Sequence, residues 1–170
     1  MNYKFFDYKY NIAGFQSDLF SVPHICYIVL AVIVTTLSAI FLRKISHKKV
    51  DIVIKVMGIL SLILEITKIT WESYYDITTG RGFNKEGLLP LYTCSLYIYT
   101  MLLAGFTKGK VKDVALSFLT TVGLLSGLIG VIYCNGLNYY PFWTFGAFYS
   151  LFFHFFMFYI GVMLVAIELL

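Results

Sequence analysis

Two residues of this 170-residue chain have the side-chain chemistry of a nucleophile and its base. They are Cys94, in the segment LPLYTCS (89–95), and His154, in FFHFF (152–156). A thiolate can attack an ester carbonyl, while an imidazole takes the thiol proton and later returns it to the leaving alcohol. Pro90 favours a helix that begins there, with Cys94 about one turn inside it. A buried structural thiol and a packing histidine are the alternative interpretation, and two residues alone do not decide between them.

A second group of ionisable residues lies on one predicted helix. Glu65, Lys68 and Glu72 are spaced i, i+3 and i+7, so one helical face carries an acid, a base and an acid. Such residues are costly in hydrocarbon and normally face a bundle interior or a water-filled cavity. We therefore expect a functional polar site, although mutual pairing around Lys68 is a structural alternative.

The composition is that of a membrane protein. Hydrophobic residues make up 59% of the chain, aromatic residues 19% and charged residues only 13%. A single water-soluble core could not bury that much apolar surface. The net charge of +4 comes from lysines between apolar runs, and no nucleic-acid motif is present. The three cysteines have no metal-type spacing, so we expect no metal site and no organic cofactor.

The apolar runs predict an all-α, polytopic membrane protein with about five transmembrane helices in one bundle. We expect a single domain over 1–170, with an interfacial arm over 1–21 and spans near 22–42, 51–76, 88–106, 114–133 and 142–170. Ser21 is the expected N-cap of the first span. His24 then lies at the membrane surface, either as an amphipathic anchor or as a contact for a polar ligand.

The distribution of Lys and Arg predicts the orientation in the cell membrane. The two loops on one side hold seven of these residues, while the arm and the loop 78–87 on the other side hold four. The positive-inside rule then puts the N-terminus outside and the C-terminus inside. At about 1.5 Å per residue, Glu65, Glu72, Cys94 and His154 all lie in the outer half of the bilayer.

Small residues follow one face of the fourth predicted span. Gly123, Ser126, Gly127 and Gly130 are three and four residues apart. Such a face typically seats a neighbouring helix rather than a ligand.

Several of these segments together resemble the bacterial YwaF-type integral membrane proteins, which in turn resemble transmembrane protein 164. The matching positions are Phe20, Ser21 and His24, the acidic second span, Leu89, Pro90, Leu91, Cys94 and Ser95, and finally His154. The resemblance implies a polytopic helical fold and a cysteine–histidine acyltransferase that moves fatty acyl chains between phospholipids. Tyr92 departs from the histidine common at that position in the family. Members also tend to be longer, which implies a shortened relative or a fragment.

The leading functional hypothesis is lipid-directed acyl transfer or ester hydrolysis. In it Cys94 is the nucleophile and His154 the base, Glu65 and Glu72 orient groups or hold water, and Lys68 and His24 contact an anionic head group. Ser95, beside the nucleophile, belongs to the same predicted site. A non-catalytic protein that binds or transports a small polar solute through the Glu65–Lys68–Glu72 face is the second hypothesis. The third is a structural subunit completed by a partner. Membrane lipid is the expected partner, and the sequence leaves the oligomeric state open.

Overall fold

The computed structural model describes residues 3–9, 12, 14–42, 45–82 and 93–168. Within these ranges the regular structure is entirely helical. The helices are α1 (Val22–Leu42), α2 (His47–Thr78), α3 (Thr93–Phe106), α4 (Lys110–Val122), α5 (Leu128–Ile132) and α6 (Phe145–Glu168). A π-helical turn, Gly123–Gly127, joins α4 to α5 without a break, so the described chain contains five helical runs. The prediction of an all-α membrane bundle of about five helices is confirmed.

Three of these runs are long and apolar enough to cross a membrane. They are Val22–Phe41, Lys110–Asn138 and Phe145–Ile167. The described apolar part of α3, Ser95–Phe106, is shorter, and the predicted start of that span near residue 88 lies outside the described residues. α2 is the longest helix, with 32 residues, but it carries the ionisable face. The apolar helices identify a membrane protein.

α6 begins later than the sequence predicts. Its first residue is Phe145, where the apolar pattern predicts 142. The backbone N–H and the hydroxyl of Thr144 both donate to the carbonyl of Pro141, at 3.0 and 2.8 Å. This turn occupies the four residues before the helix begins.

The glycine face of α4 and α5 packs directly on α6, as predicted. A Cβ atom on Gly123 would lie 2.6 Å from the carbonyl oxygen of Met157, and one on Gly127 would overlap the backbone of Phe158. Gly161 returns the contact from α6, since a Cβ there would lie 2.6 Å from the backbone nitrogen of Leu124. Because the contacts advance along one helical run while they go back along the other, the two runs are antiparallel. The two helical runs therefore touch backbone to backbone, which larger side chains would prevent.

α2 and α3 form a second antiparallel pair. Gly58 of α2 lies against Met101 and Leu102, and Gly105 of α3 lies against Lys55. At the same end of the bundle, the Lys112 ammonium of α4 contacts both carboxylate oxygens of Asp51 at 2.7 Å. This ion pair ties α4 to α2.

Tyr97 joins three helices in the middle of the bundle. Its side chain is fully buried, and its hydroxyl lies 3.1 Å from the carbonyl oxygen of Leu119 and 3.2 Å from that of Met157. One hydroxyl proton is thus shared between α4 and α6. The contact makes α3 and α6 neighbours.

The described residues of the N-terminal arm, 3–9, 12 and 14–21, pack across the end of the bundle where α2 finishes and α6 begins. The indole N–H of Trp71 donates to the carbonyl of Phe6 at 3.1 Å, and the backbone N–H of Phe145 donates to that of Phe5 at 2.6 Å. Asp18 accepts from the backbone N–H of Phe142 at 2.8 Å. The arm is therefore hydrogen-bonded to helices that are distant in sequence.

Ser21 is at the N-cap position of α1, as predicted, because its carbonyl accepts from the Ile25 backbone N–H at 2.9 Å. Its Oγ is buried, however, and makes no hydrogen bond to a described residue. The Phe20 backbone N–H donates instead to Nδ1 of His24 at 3.0 Å. Phe20 has a φ of 60°, a conformation that L residues rarely adopt, and this hydrogen bond stabilises it. The imidazole thus binds the backbone N–H of the residue that precedes the N-cap and fixes the arm against the first turn of α1.

Candidate functional site

The ionisable face of α2 points into the bundle. Glu65 is 3% exposed, and its Oε2 accepts a hydrogen bond from the Tyr149 hydroxyl of α6. The Lys68 ammonium lies 3.9 Å from a carboxylate oxygen of Glu65 and 3.9 Å from one of Glu72. The same ammonium lies 5.1 Å from the centre of the Tyr149 ring. The three predicted residues therefore form one charged cluster, completed by a tyrosine from α6.

One oxygen of this cluster has an ion-pair partner but no hydrogen bond. Oε1 of Glu65 is buried and lies 3.9 Å from the Lys68 ammonium, and no described residue hydrogen-bonds to it. Ser61, one turn earlier on the same face, is fully buried, and its Oγ likewise has no hydrogen bond. Buried polar atoms are normally satisfied, and ordered water is the usual partner where protein groups are lacking. Within the described residues, these two oxygens are therefore buried polar atoms one helical turn apart that lack a hydrogen-bond donor.

His154 is oriented by its own helix. Nδ1 lies 2.7 Å from the carbonyl oxygen of Ser150, so this nitrogen carries the proton and donates it. Nε2 is then the nitrogen with the basic lone pair, and no residue in the described ranges hydrogen-bonds to it. The ring lies flat against Gly130, where any Cβ would overlap it. The packing thus fixes both the tautomer and the ring position, as a base requires.

His24 has a different environment from the one predicted. Its side chain is fully buried, and Nε2 lies 3.3 Å from the carbonyl oxygen of Val131. Nδ1 accepts from Phe20, so both ring nitrogens are used within the protein. In this conformation neither nitrogen is available to an anionic head group. His24 instead joins the arm to α1 and α1 to α5.

The nucleophile motif is only partly within the described residues. Residues 83–92, including Pro90 and Tyr92, lie outside them, as does the Cys94 side chain. The backbone of Cys94 is in the first turn of α3, and Ser95 beside it is 4% exposed. The separation of the Cys94 sulfur from His154 therefore stays a prediction.

The positions of Cys94 and His154 along the bundle axis follow from the contact between Tyr97 and Met157. Cys94 precedes Tyr97 by three residues, and His154 precedes Met157 by three. Tyr97 and Met157 are in contact, and α3 and α6 both run antiparallel to α4. Each residue is consequently one helical turn from this contact in the same direction.

Other residues near these sites were not predicted from the sequence. Tyr149 and Tyr97 lie among 30 Phe and Tyr residues, so their roles had no distinct signal. Cys134 is fully buried, and its Sγ donates to Ser150 Oγ at 3.2 Å, next to the carbonyl that holds His154. Ser150 and His154 are four residues apart, and this spacing is the sequence feature that places them next to each other on a helix.

The described residues contain no group of three or more His, Cys, Asp and Glu side chains able to hold a metal ion. What they contain is a partly buried acid–base cluster on one flank of α6 and an oriented histidine on another. These features, with the apolar helices, define a polytopic α-helical membrane protein with intramembrane polar groups.

The model of the TMEM164 family matches residues 19–169, and the chain belongs to this family. The match confirms the resemblance to transmembrane protein 164. None of the curated proteins or solved structures compared with the chain is significantly similar to it.

Proposed function

We propose that this protein is a membrane enzyme that transfers or hydrolyses acyl esters of lipids, with Cys94 as the nucleophile and His154 as the general base and acid. The observation that carries the proposal is the state of His154. Its Nδ1–H is held by the Ser150 carbonyl, which leaves the Nε2 lone pair for a proton. α6 contacts α3 one turn from the level of Cys94, so a thiol and a base can meet there.

The reaction has two balanced steps. Nε2 takes the thiol proton, the sulfur forms a bond to the ester carbonyl carbon, and the alcohol leaves with the proton returned by the imidazolium. An acceptor alcohol, or water, then loses its proton to Nε2 and forms a bond to the thioester carbonyl. The C–S bond breaks, and the thiolate regains the proton.

Loss of the thiol tests the proposal. Purified protein in phosphatidylcholine vesicles should release lysophospholipid, and it should carry an acyl-sized mass that hydroxylamine removes. Cys94→Ala should abolish both signals, and His154→Asn should lower the release at least a hundredfold, the usual contribution of a general base. Cys26→Ala is the matched thiol control because Cys26 is exposed on α1. Release that survives Cys94→Ala would reject the assignment.

A second function is favoured by the buried oxygens of Glu65 and Ser61 to which no described residue hydrogen-bonds. In it the α2 cluster binds or conducts a small polar solute, with Lys68 and Glu72 as further contacts. Glu65→Gln or Lys68→Met should then abolish solute uptake into vesicles, while Cys94→Ala leaves it unchanged. Uptake that depends on Cys94 and not on Glu65 would exclude this alternative.

A further inference from the structure

A groove between α3 and α4 lies at the end of the bundle opposite the N-terminal arm. It has a volume of about 440 Å³. Thr100 and Leu103 of α3 form one wall, while Val111, Val114 and Phe118 of α4 form the other. Lys110 stands at the mouth. We call this feature the basic-end groove.

The groove faces outward at membrane depth. Val114 is 71% exposed and Leu103 48%, although both are apolar. From Lys110 to Phe118 the wall rises about 12 Å along α4, at about 1.5 Å per residue. A groove that begins at the polar surface and continues into hydrocarbon has the dimensions of a lipid site, with a head group at one end and an acyl chain along the wall.

Lys110, at the mouth, is exposed, and so is Lys108, two residues before it in the segment that precedes α4. Neither ammonium forms an ion pair with a described residue. Lys112, two residues further on, is fully engaged with Asp51. Asp113 is the acidic residue of the same turn, but it does not line the groove. The mouth therefore has the ammonium group of Lys110 above an apolar wall, with the exposed Lys108 two residues away in sequence.

From this arrangement we infer that the basic-end groove binds an anionic phospholipid, with its phosphate at Lys108 and Lys110 and one acyl chain along α3 and α4. Lysines at a membrane surface attract anionic head groups. A zwitterionic lipid would gain the apolar contact without that attraction. A second copy of the chain would bring its own Lys108 and Lys110 to the mouth, so like charges disfavour it.

This site is separate from the proposed acyl transfer. The Lys108–Lys110 end is where α3 finishes, whereas Cys94 is in its first turn. The inferred lipid is bound and not consumed. Cys94→Ala should therefore leave its binding unchanged, so the two proposals can fail independently.

Native mass spectrometry of the full chain in detergent tests the inference. Dioleoylphosphatidylglycerol and dioleoylphosphatidylcholine are titrated separately, and the first should bind at least tenfold more tightly. Lys108→Gln with Lys110→Gln should remove that preference, since each lysine contributes on the order of fivefold. Lys48→Gln with Lys49→Gln is the matched control, because both lysines are exposed at the same end of the bundle but belong to α2, which contributes no residue to the groove.

Filling the groove supplies the second arm. Val114→Trp should weaken binding of both lipids, and its outward position spares the core. Thr100→Phe fills the groove from the facing helix. Equal losses in the two lysine pairs, no effect of either filling variant, or a dimer that Val114→Trp dissociates would each overturn the inference.

Discussion

Glu65 is a carboxylate with two unlike oxygens. Oε2 is held by the Tyr149 hydroxyl, and Oε1 is buried beside Lys68 without a hydrogen bond. A buried charge is stabilised only when its surroundings supply opposite charge and donors together. Here α6 supplies the donor and α2 itself the cation. The carboxylate thereby links two helices through residues that are 84 positions apart in the chain.

Removing the Tyr149 hydroxyl tests this link. Tyr149→Phe should lower the free energy of unfolding by about 1–2 kcal/mol, because Glu65 loses its donor while the ring stays in place. The measurement is reversible unfolding of the protein in mixed detergent micelles. Tyr159→Phe is the matched control, because no described residue hydrogen-bonds to that hydroxyl.

A double-mutant cycle isolates the pair. Glu65→Gln keeps an acceptor oxygen but loses the charge, so Tyr149→Phe should cost less in that background. Equal costs in both backgrounds would show that the Tyr149 hydroxyl stabilises something other than Glu65.

The sequence predicted contacts within one helix more readily than contacts between residues that are distant in the chain. The Glu65–Lys68–Glu72 cluster followed from helical spacing, because all three residues belong to one helix. The role of His24 did not, because Phe20 and Val131 are its partners and Val131 is 107 residues away. Tyr149 was missed for the same reason, since nothing local marks one tyrosine among many as the donor to Glu65.

At the scale of elements, the contact between α4–α5 and α6 depends on glycine. Gly123 and Gly127 bound the π-helical turn, and both face the backbone of α6. A π turn inside an α-helix shifts the register of the residues that follow. Gly130, three residues after Gly127, continues the glycine face, and the His154 ring lies there. The packing of the helices thus positions the candidate base.

Gly127→Ala should therefore disturb the bundle. The added Cβ would overlap the backbone of Phe158, which cannot rotate away as a side chain can. We expect a loss of about 1–3 kcal/mol, typical of overpacking, in the same micelle unfolding assay. Ile129→Ala is the control on the same helix, because the Ile129 side chain is 64% exposed on the outside of the bundle. A neutral Gly127→Ala variant would mean that α6 is not held this closely.

The helices themselves were predictable because hydrophobic runs and small-residue spacing are local signals. The sequence predicted α1 over 22–42, where the helix is Val22–Leu42, and it predicted the glycine face. The π turn and the late start of α6 were not predicted, because each depends on hydrogen bonds that a hydropathy pattern does not record. The arm was predicted only as interfacial, and its hydrogen bonds to Trp71 and Phe145 required the tertiary structure.

At the scale of the whole molecule, the two ends of the bundle are chemically different. One end carries the N-terminal arm and aromatic residues packed against it. The rings of Tyr8 and Tyr75 stack there, with their centres 5.3 Å apart. The other carries Lys48, Lys49, Lys108 and Lys110, all exposed. The polar cluster of α2 lies nearer the aromatic end, since Glu65 is 13 residues from Thr78 and 18 from His47. Which end faces the cytoplasm therefore decides which leaflet supplies a lipid substrate and which supplies the lipid of the basic-end groove.

The positive-inside rule predicts that the lysine end is cytoplasmic. In a background with Cys26, Cys94 and Cys134 replaced by alanine, Asn135→Cys should react with a membrane-impermeant maleimide on intact cells. Lys110→Cys should react only after the membrane is permeabilised. Both positions are exposed in the structure, so unequal labelling reports the membrane side rather than burial. The reverse pattern would place the candidate acyl-transfer site toward the cytoplasmic leaflet, and the anionic lipid of the basic-end groove would then have to come from the outer one.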